Sequence, residues 1–244
     1  PGCYPDAYIQ WIREVAPEME AKVRVPNPAT EPRGSFDRWV FDASEELSYS
    51  AWVADETIRF IDSNPDRPWF AIAGLYLPHA PCNPTQRWFD LYKDADIPEP
   101  LLREGELDDK PQVFRDLAAR FVPEDEDTWE DFRRYYYASC SMLDHHCGRV
   151  IEHLREGGQL DNTLVVFYSD HGEMAGDHWM MAKHQSNYES VIHVPAIVRH
   201  PATVPAGSAV EAVIEGVDLM PTVLDAVGAD IPRSVDGESR WAAV

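Results

Sequence analysis

The sequence has 244 residues, and 43 acidic side chains against 21 lysines and arginines give it a net charge of −22. So acidic a surface repels nucleic acid and anionic membranes, and we expect neither as a partner. No apolar run approaches the roughly 18 residues of a membrane-spanning helix, and no signal-peptide pattern is visible. Because the chain opens at Pro1-Gly2-Cys3 without a methionine, we expect a fragment or a mature form, and the sequence leaves localisation open.

The first half of the chain predicts helices, one buried strand and a long loop. A short helix is expected near Ala7–Val15, within an irregular, proline-rich start. Ser48–Ser63 has the apolar spacing of a helix. The continuous apolar run Trp69–Leu77 is typical of a buried parallel strand. Residues 82–128 are polar and proline-bearing, which predicts a surface loop with one helix near Val113–Phe121.

The second half carries the strongest helical pattern of the sequence. Apolar residues recur at three- and four-residue steps over Thr128–Glu156, which predicts one long helix. Thr163–Ser169 reads as an apolar strand, followed by the polar segment 170–190 and a further strand at Val194–Arg199. A last helix is expected at Leu219–Val227.

Helices that alternate with apolar strands predict an α/β fold, with a mostly parallel sheet covered by helices on both faces. Ligands of such sheets bind beyond the carboxyl ends of the strands. Two predicted strands are followed by polar residues that are suited to bind a ligand. Leu77 leads to His79, and Ser169 leads to Asp170 and His171. We therefore expect these side chains to belong to one site.

The tetrapeptide Asp170-His171-Gly172-Glu173 follows a predicted strand and would lie at the edge of the sheet. Gly172 permits a sharp backbone turn there. A carboxylate beside an imidazole offers two adjacent donors to a metal ion. A turn in which Asp170 accepts hydrogen bonds from backbone amides is the alternative, and the tetrapeptide alone favours neither interpretation.

Lys183 and His79 are candidates for binding an anion. The ammonium group of Lys183 is a compact charge that suits a tetrahedral oxyanion or a departing oxygen. His79, between Pro78 and Pro81, is suited to donate to an ester oxygen or to act as a general acid. The alternatives are a solvated surface lysine and a buried histidine that is satisfied by a carbonyl group.

Other histidines are weaker candidates. His178, next to Asp177, and His184 lie in the same polar segment as Lys183 and would line a pocket or support other groups, unless they are simply solvated. Asp144-His145-His146 is composed like a metal site. Its residues are neighbours on a predicted helix and point about 100° apart, so we interpret the tripeptide as structural.

An ordered series of segments resembles the sulfatase family, within the alkaline-phosphatase-like superfamily. Pro78-His79-Ala80-Pro81 is similar to the histidine–proline motif of the family, and the best match runs from Leu160 to Glu173. The resemblance covers about residues 48–240. Further matching segments follow in the same order as in the family: Gly176-Asp177-His178, Lys183, Tyr188-Glu189-Ser190, Val194-Pro195, residues 217–224 and residues 235–239.

The resemblance implies roles for five residues. Asp170 and His171 occupy the positions of metal ligands, whereas Lys183 and His79 match residues that contact the sulfate, with His79 also assisting the leaving group. His178 is a further substrate-binding candidate. The implied metal is a divalent cation, usually calcium, although the imidazole ligand also suits manganese or magnesium.

The resemblance also implies a nucleophile that we do not find. The nucleophile of the family is a formylglycine made in a Cys-x-Pro-Ser-Arg motif, and Cys3-Tyr4-Pro5 matches only its first half. We therefore expect residues 1–244 to be a partial sulfatase catalytic domain, with the formylglycine region upstream of Pro1 and a C-terminal subdomain after Val244.

The implied reaction is metal-dependent hydrolysis of the sulfate monoester of a small molecule or a carbohydrate. A phosphonate monoester or phosphodiester hydrolase of the same superfamily is one alternative, because sulfate and phosphate esters are nearly isosteric. A non-catalytic, anion-binding fragment is the other. The isolated chain is expected to have little or no turnover.

Overall fold

A computed structural model describes residues 7–23, 37–120, 128–183 and 187–244. The chain divides into two compact units. The first contains Pro1–Glu156 and Glu173–Ser186, and the second contains Gly157–Gly172 and Asn187–Val244. The chain thus leaves the first unit after its long helix and returns to it in the segment that carries Lys183.

The first unit is helical, and the helices expected from the periodicity of the sequence are confirmed. Its helices are α1 (Ala7–Val15), α2 (Glu20–Val23), α3 (Tyr49–Asp62), α4 (Gln86–Phe89), α5 (Gln112–Arg120) and α6 (Thr128–Glu156). Ser48 caps α3, because its side chain accepts a hydrogen bond from the Ala51 N–H at 3.2 Å. α3 packs against α6. Within the described ranges, no helix has the length and apolar character needed to cross a membrane.

The strand expected at Trp69–Leu77 is wrong for the part of the chain that the structure describes. Residues 69–77 form no strand there, and the side chains of Phe70 and Ile72 are 70% and 80% exposed. A continuous apolar run shows only that a segment is suited to burial on both faces. Such a run becomes a central strand only where neighbouring strands pair with it. Among the described residues, no strand pairs with residues 69–77.

The second unit contains a small sheet. Strands β1 (Val165–Tyr168) and β2 (Ala196–Arg199) pair antiparallel, with Val165 opposite Arg199. In the described residues this two-stranded sheet replaces the mostly parallel sheet that we expected. A parallel pair needs a crossover, usually a helix. The helices described between β1 and β2 are the three-residue 3₁₀ helix Asp177–Trp179 and the four-residue α7 (Glu189–Ile192), and neither is long enough for a helical crossover.

The second unit ends in α8 (Leu219–Ala226), which confirms the predicted final helix. Asp218 lies at its start, but its side chain makes no capping hydrogen bond to the helix. The carboxylate accepts from the backbone N–H groups of Glu215 and Glu238 instead, at 3.2 and 2.9 Å. Asp218 therefore links the segment before α8 to the segment after it.

One hydrophobic cluster of the first unit joins three distant parts of the sequence. Cys82 comes from the segment after His79, Trp129 and Phe132 come from α6, and Ala175 and Met181 come from the segment before Lys183. All five side chains are buried. Because burial of apolar area stabilises by about 25 cal/mol per Å², this cluster ties the His79 and Lys183 segments to the same helix.

Candidate active site

His79 and Lys183 meet in the first unit although 104 residues separate them. The Lys183 Nζ atom lies 2.8 Å from His79 Nε2, a hydrogen-bonding distance. Two of the residues selected from the sequence therefore lie side by side, as the anion-binding hypothesis requires.

The backbone around His79 determines which ring nitrogen carries the proton. His79 Nδ1 lies 2.6 Å from the carbonyl oxygen of Ala80, and the Tyr76 hydroxyl donates to the same oxygen at 2.7 Å. Because a carbonyl oxygen only accepts, Nδ1 must be a donor. In the neutral ring the proton is then on Nδ1, and the lone pair of Nε2 accepts from the Lys183 ammonium group.

The segment before Lys183 has an unusual backbone. The non-glycine residues Ala175, His178, Trp179 and Ala182 have left-handed φ angles of 45°, 55°, 64° and 58°. Such a conformation costs on the order of 1 kcal/mol or more per residue, and it persists only where the surroundings hold it. The fold therefore maintains a strained segment next to a candidate functional lysine.

Arg133 of α6 holds the first half of this segment. Its Nε donates to the carbonyl oxygen of Ala175 at 2.8 Å, and its Nη2 lies 2.5 Å from Asp177 Oδ1. Both charged side chains are nearly buried, with 11% and 12% exposure. Asp177 Oδ1 also accepts the Leu101 N–H at 2.8 Å, so this carboxylate anchors the segment to residues before α5.

His178 contacts a carboxylate. Its ring Nδ1 lies 3.3 Å from the buried side chain of Glu106, and its backbone N–H donates to the Leu101 carbonyl oxygen at 2.9 Å. This geometry supports a role in holding the segment, and substrate binding by His178 stays a prediction. His184 lies outside the described residues.

Asp170 and His171 lie in the second unit, directly after β1 and Ser169. Asp170 Oδ1 accepts the His171 N–H at 2.9 Å, as in the turn that was the alternative interpretation. His171 Nδ1 lies 2.8 Å from the Gly172 carbonyl oxygen and must donate to it. Nε2 of the neutral ring is therefore left with a lone pair, 3.6 Å from Asp170 Oδ2.

This arrangement fits a divalent cation. The backbone bond of His171 Nδ1 sets the ring tautomer, as backbone carbonyls commonly do for metal-binding histidines. Nε2 and Oδ2 are two unlike donors at a separation that a single ion can span, and the 80% exposed side chain of Asp170 is accessible. The pair supplies two ligands, and its distance from His79 and Lys183 stays a prediction.

Gly172 is required by the packing of this turn. A Cβ atom at this position would lie 2.0 Å from the carbonyl oxygen of Ser190. The Gly172 N–H also donates to the Val191 carbonyl oxygen at 2.8 Å. Glycine is therefore required at this position because it has no side chain, and its conformational freedom matters less.

Sequence reasoning missed a third group, formed by Glu45, His145 and His146. One ligand atom from each lies within 4.8 Å of the others. Asp144 does not belong to this group, so the expectation that Asp144, His145 and His146 do not converge on one ion is not contradicted. Glu45 begins the 3₁₀ helix Glu45–Leu47, 100 residues before His145, and no motif marks it.

The hydrogen bonds of this group show that Glu45 is already satisfied. Its carboxylate accepts from Thr85 Oγ1 at 2.8 Å, from Trp88 Nε1 at 3.0 Å and from Arg87 through two bonds. Burial would raise the pKa of Glu45, but the hydrogen bonds from Arg87 and Thr85 outweigh it and lower the pKa. A cation would have to compete with a guanidinium group for these oxygens.

The buried ring of His146 completes this network. Burial lowers the pKa of His146 to about 4, although the charge of Glu45 acts in the opposite direction. Arg149 lies 3.3 Å from Nδ1 and can only donate, so the proton of the neutral ring is on Nε2. Nε2 lies 3.4 Å from Glu45 Oε1 but makes no hydrogen bond with it, so this buried ring nitrogen has no hydrogen-bond partner among the described residues.

Comparison with known proteins identifies the family of this chain. The Sulfatase family model matches residues 18–229. An arylsulfatase of Clostridium perfringens is 32% identical over an alignment of 240 residues, which covers 96% of this chain and 49% of that protein. The chain belongs to the sulfatase family.

Two solved structures of phosphonate monoester hydrolases share the fold. The enzyme from Silicibacter pomeroyi is 30% identical with a TM-score of 0.76, and 98% of this chain covers 47% of it. The enzyme from Agrobacterium radiobacter is 25% identical with a TM-score of 0.82, and 98% of this chain covers 50% of it. The chain thus spans about half the length of the relatives it matches.

Proposed function

We propose that this chain forms part of a hydrolase of sulfate monoesters, with a small-molecule or carbohydrate sulfate as substrate. The observation that carries the proposal is the 2.8 Å contact between Lys183 Nζ and His79 Nε2. It joins two residues whose sequence motifs resemble the sulfate-binding residues of the family. A lysine and a histidine held together can contact different oxygens of one tetrahedral anion.

In the proposed mechanism Lys183 binds a sulfonyl oxygen as a fixed positive charge, where negative charge grows in the transition state. His79 keeps its Nδ1–H bonded to the Ala80 carbonyl oxygen, so its orientation does not change during the reaction. When Nε2 takes up a second proton from solvent water, its contact with the Lys183 ammonium group is broken and the ring becomes a donor to the departing ester oxygen. The carbonyl acceptor at Nδ1 stabilises the resulting imidazolium, which makes His79 a suitable general acid.

Asp170 Oδ2 and His171 Nε2 would hold a divalent cation, most readily calcium, with manganese and magnesium as alternatives. The bound ion would supply Lewis-acid polarisation of the ester group. The nucleophile in this proposal is a formylglycine that lies outside these 244 residues. On this basis the chain by itself is expected to bind sulfate esters and to turn them over slowly or not at all.

A second candidate function is hydrolysis of phosphonate monoesters or phosphodiesters. The observation in its favour is the structural match to two phosphonate monoester hydrolases. Sulfate and phosphonate esters place similar oxygens around the central atom, so His79 and Lys183 suit both. Both kinds of ester carry one negative charge, and they differ in that a P–C bond or a second ester bond replaces one terminal oxygen of the sulfate.

The test is a direct comparison of substrates with the full-length protein. We expect a higher kcat/KM on 4-nitrophenyl sulfate than on 4-nitrophenyl phenylphosphonate, measured as released nitrophenolate. The reverse order would establish the phosphonate hydrolase instead. Saturable binding of both esters without turnover would contradict both proposals and leave an anion-binding protein.

A further inference from the structure

Glu173 is the last residue of the Asp170-His171-Gly172-Glu173 motif, and it belongs to the first unit. Its Oε1 atom accepts the N–H of Ala175 at 3.2 Å and also the N–H of Ala182. These two amides lie seven residues apart, at the two ends of the strained segment. One carboxylate oxygen therefore closes the segment into a loop whose next residue is Lys183.

The loop that Glu173 closes has a strained backbone at both of its ends. Ala175 and Ala182, the two residues whose amides Glu173 accepts, are both left-handed, with φ angles of 45° and 58°. The Met174 N–H also donates to the Ala182 carbonyl oxygen at 3.1 Å. Arg133 holds the loop near Ala175 and Asp177, whereas Glu173 reaches the end that leads into Lys183.

Glu173 also lies close to the segment that follows His79. Burial raises the pKa of the Cys82 thiol, and the negative charge of Glu173 raises it further. The same two causes, together with the neighbouring thiol of Cys140, raise the pKa of Tyr136 on α6. The carboxylate therefore lies among the residues that connect the His79 turn to the Lys183 loop.

We propose that Glu173 is the positioning residue that holds the ammonium group of Lys183 against His79 Nε2. It fixes the backbone at Ala182, one residue before the lysine, while the cluster around Cys82 fixes the other partner. The effect on catalysis rests on the proposed function, but the effect on the contact between Lys183 and His79 does not.

The contact can be observed without substrate by NMR of the full chain labelled with ¹⁵N-histidine. Lys183→Ala assigns the signal of His79 Nε2 that depends on the lysine. Glu173→Ala is expected to move this signal most of the way to its position in Lys183→Ala. Glu173→Gln keeps a carbonyl oxygen for the two amides and is expected to restore it.

Asp218→Ala is the matched control, because Asp218 also accepts two backbone amides but belongs to the second unit. Its loss should leave the His79 signal in place. Should Glu173→Ala fail to fold, Glu173→Asp tests the same point, since the shorter side chain cannot keep both bonds and is expected to give a partial shift. An unchanged His79 signal in the folded Glu173 variants, or an equal shift in Asp218→Ala, would overturn the proposal.

Activity provides a separate reading. If the full-length protein hydrolyses 4-nitrophenyl sulfate, Glu173→Ala should lower kcat/KM by about 10²-fold, as misplacement of a reacting group by about 1 Å does. Glu173→Gln should recover most of this loss. Absence of hydrolysis by the unchanged protein would count against the proposed function alone, because the NMR result decides the role of Glu173.

Discussion

Two histidines of the first unit illustrate how different surroundings give one residue type different roles. His79 is exposed, its Nδ1 proton is held by a backbone carbonyl, and its Nε2 meets the ammonium group of Lys183. His146 is 2% exposed and holds Nε2 3.4 Å from Glu45, a carboxylate that three other side chains already occupy. In the proposed function the exposed ring exchanges a proton with a substrate, whereas the buried ring is enclosed by the protein.

This comparison predicts its largest effect at Lys183. Lys183→Ala should lower kcat/KM of the full-length protein on its ester substrate by about 10²–10³-fold, because a preformed positive charge in the transition state is lost. His79→Ala should cost about 10²-fold or more. Steady-state kinetics with 4-nitrophenyl sulfate or the phosphonate ester measures both losses.

The control for this prediction is Lys93→Ala, which removes an exposed lysine whose ion pair with Asp90 spans 3.8 Å. It should leave kcat/KM within about twofold, since exposed ion pairs contribute little. The double variant Lys183→Ala with His79→Ala should lose less than the product of the two single losses, because the residues act as a unit. Fully multiplicative losses would show that the 2.8 Å contact has no functional meaning.

The buried histidine predicts an effect on stability that depends on pH. With a folded-state pKa of about 4 against an ordinary value of 6.5, His146 excludes a proton that the unfolded chain takes up between these values. The free energy of unfolding should therefore fall by about 2 kcal/mol as the pH is lowered from 6.5 to 4. Protonation of Glu45 lowers the free energy of unfolding further at the acid end of this range, because the pKa of Glu45 in the folded state lies below its ordinary value.

Denaturant unfolding of the chain at several pH values measures this slope. His146→Gln should flatten it between pH 6.5 and 4. Besides Glu45, the charged groups that face His146 are those of His145, Arg149 and Arg87, and they remain in this variant. An identical slope in His146→Gln and the unchanged chain would show that the buried ring does not titrate in this range.

The helices were predictable from the sequence because their signal is local. Apolar periodicity and a capping serine suffice to predict α3 and α6, whatever surrounds them. The sequence could not show that residues 69–77 form no strand, since their conformation depends on whether other strands lie beside them. The antiparallel pairing of β1 and β2 likewise depends on how the chain turns between them, which no short pattern encodes.

The candidate site likewise contains residues that could be predicted from the sequence and residues that could not. The contact between His79 and Lys183 was expected because ordered motifs identify both residues, and the structure places them together. Glu45 was not predictable, because its partners come from residues 85–88 and from α6 and none of them forms a motif with it. The role of Glu173 was hidden for a related reason, since its two bonds are to backbone amides, which carry no residue identity.

The smallest predicted effect separates the two groups that could bind a metal. If Asp170 and His171 hold the cation, Asp170→Asn should weaken Mn²⁺ binding by about tenfold, because one anionic ligand becomes neutral. Glu45→Gln should leave Mn²⁺ affinity unchanged, since Arg87, Thr85 and Trp88 already occupy that carboxylate. Isothermal titration of the chain with Mn²⁺ distinguishes the two cases without any substrate. Weaker binding in Glu45→Gln together with normal binding in Asp170→Asn would move the metal to the buried group, and the division between an exposed, reactive histidine and a buried, structural one would no longer hold.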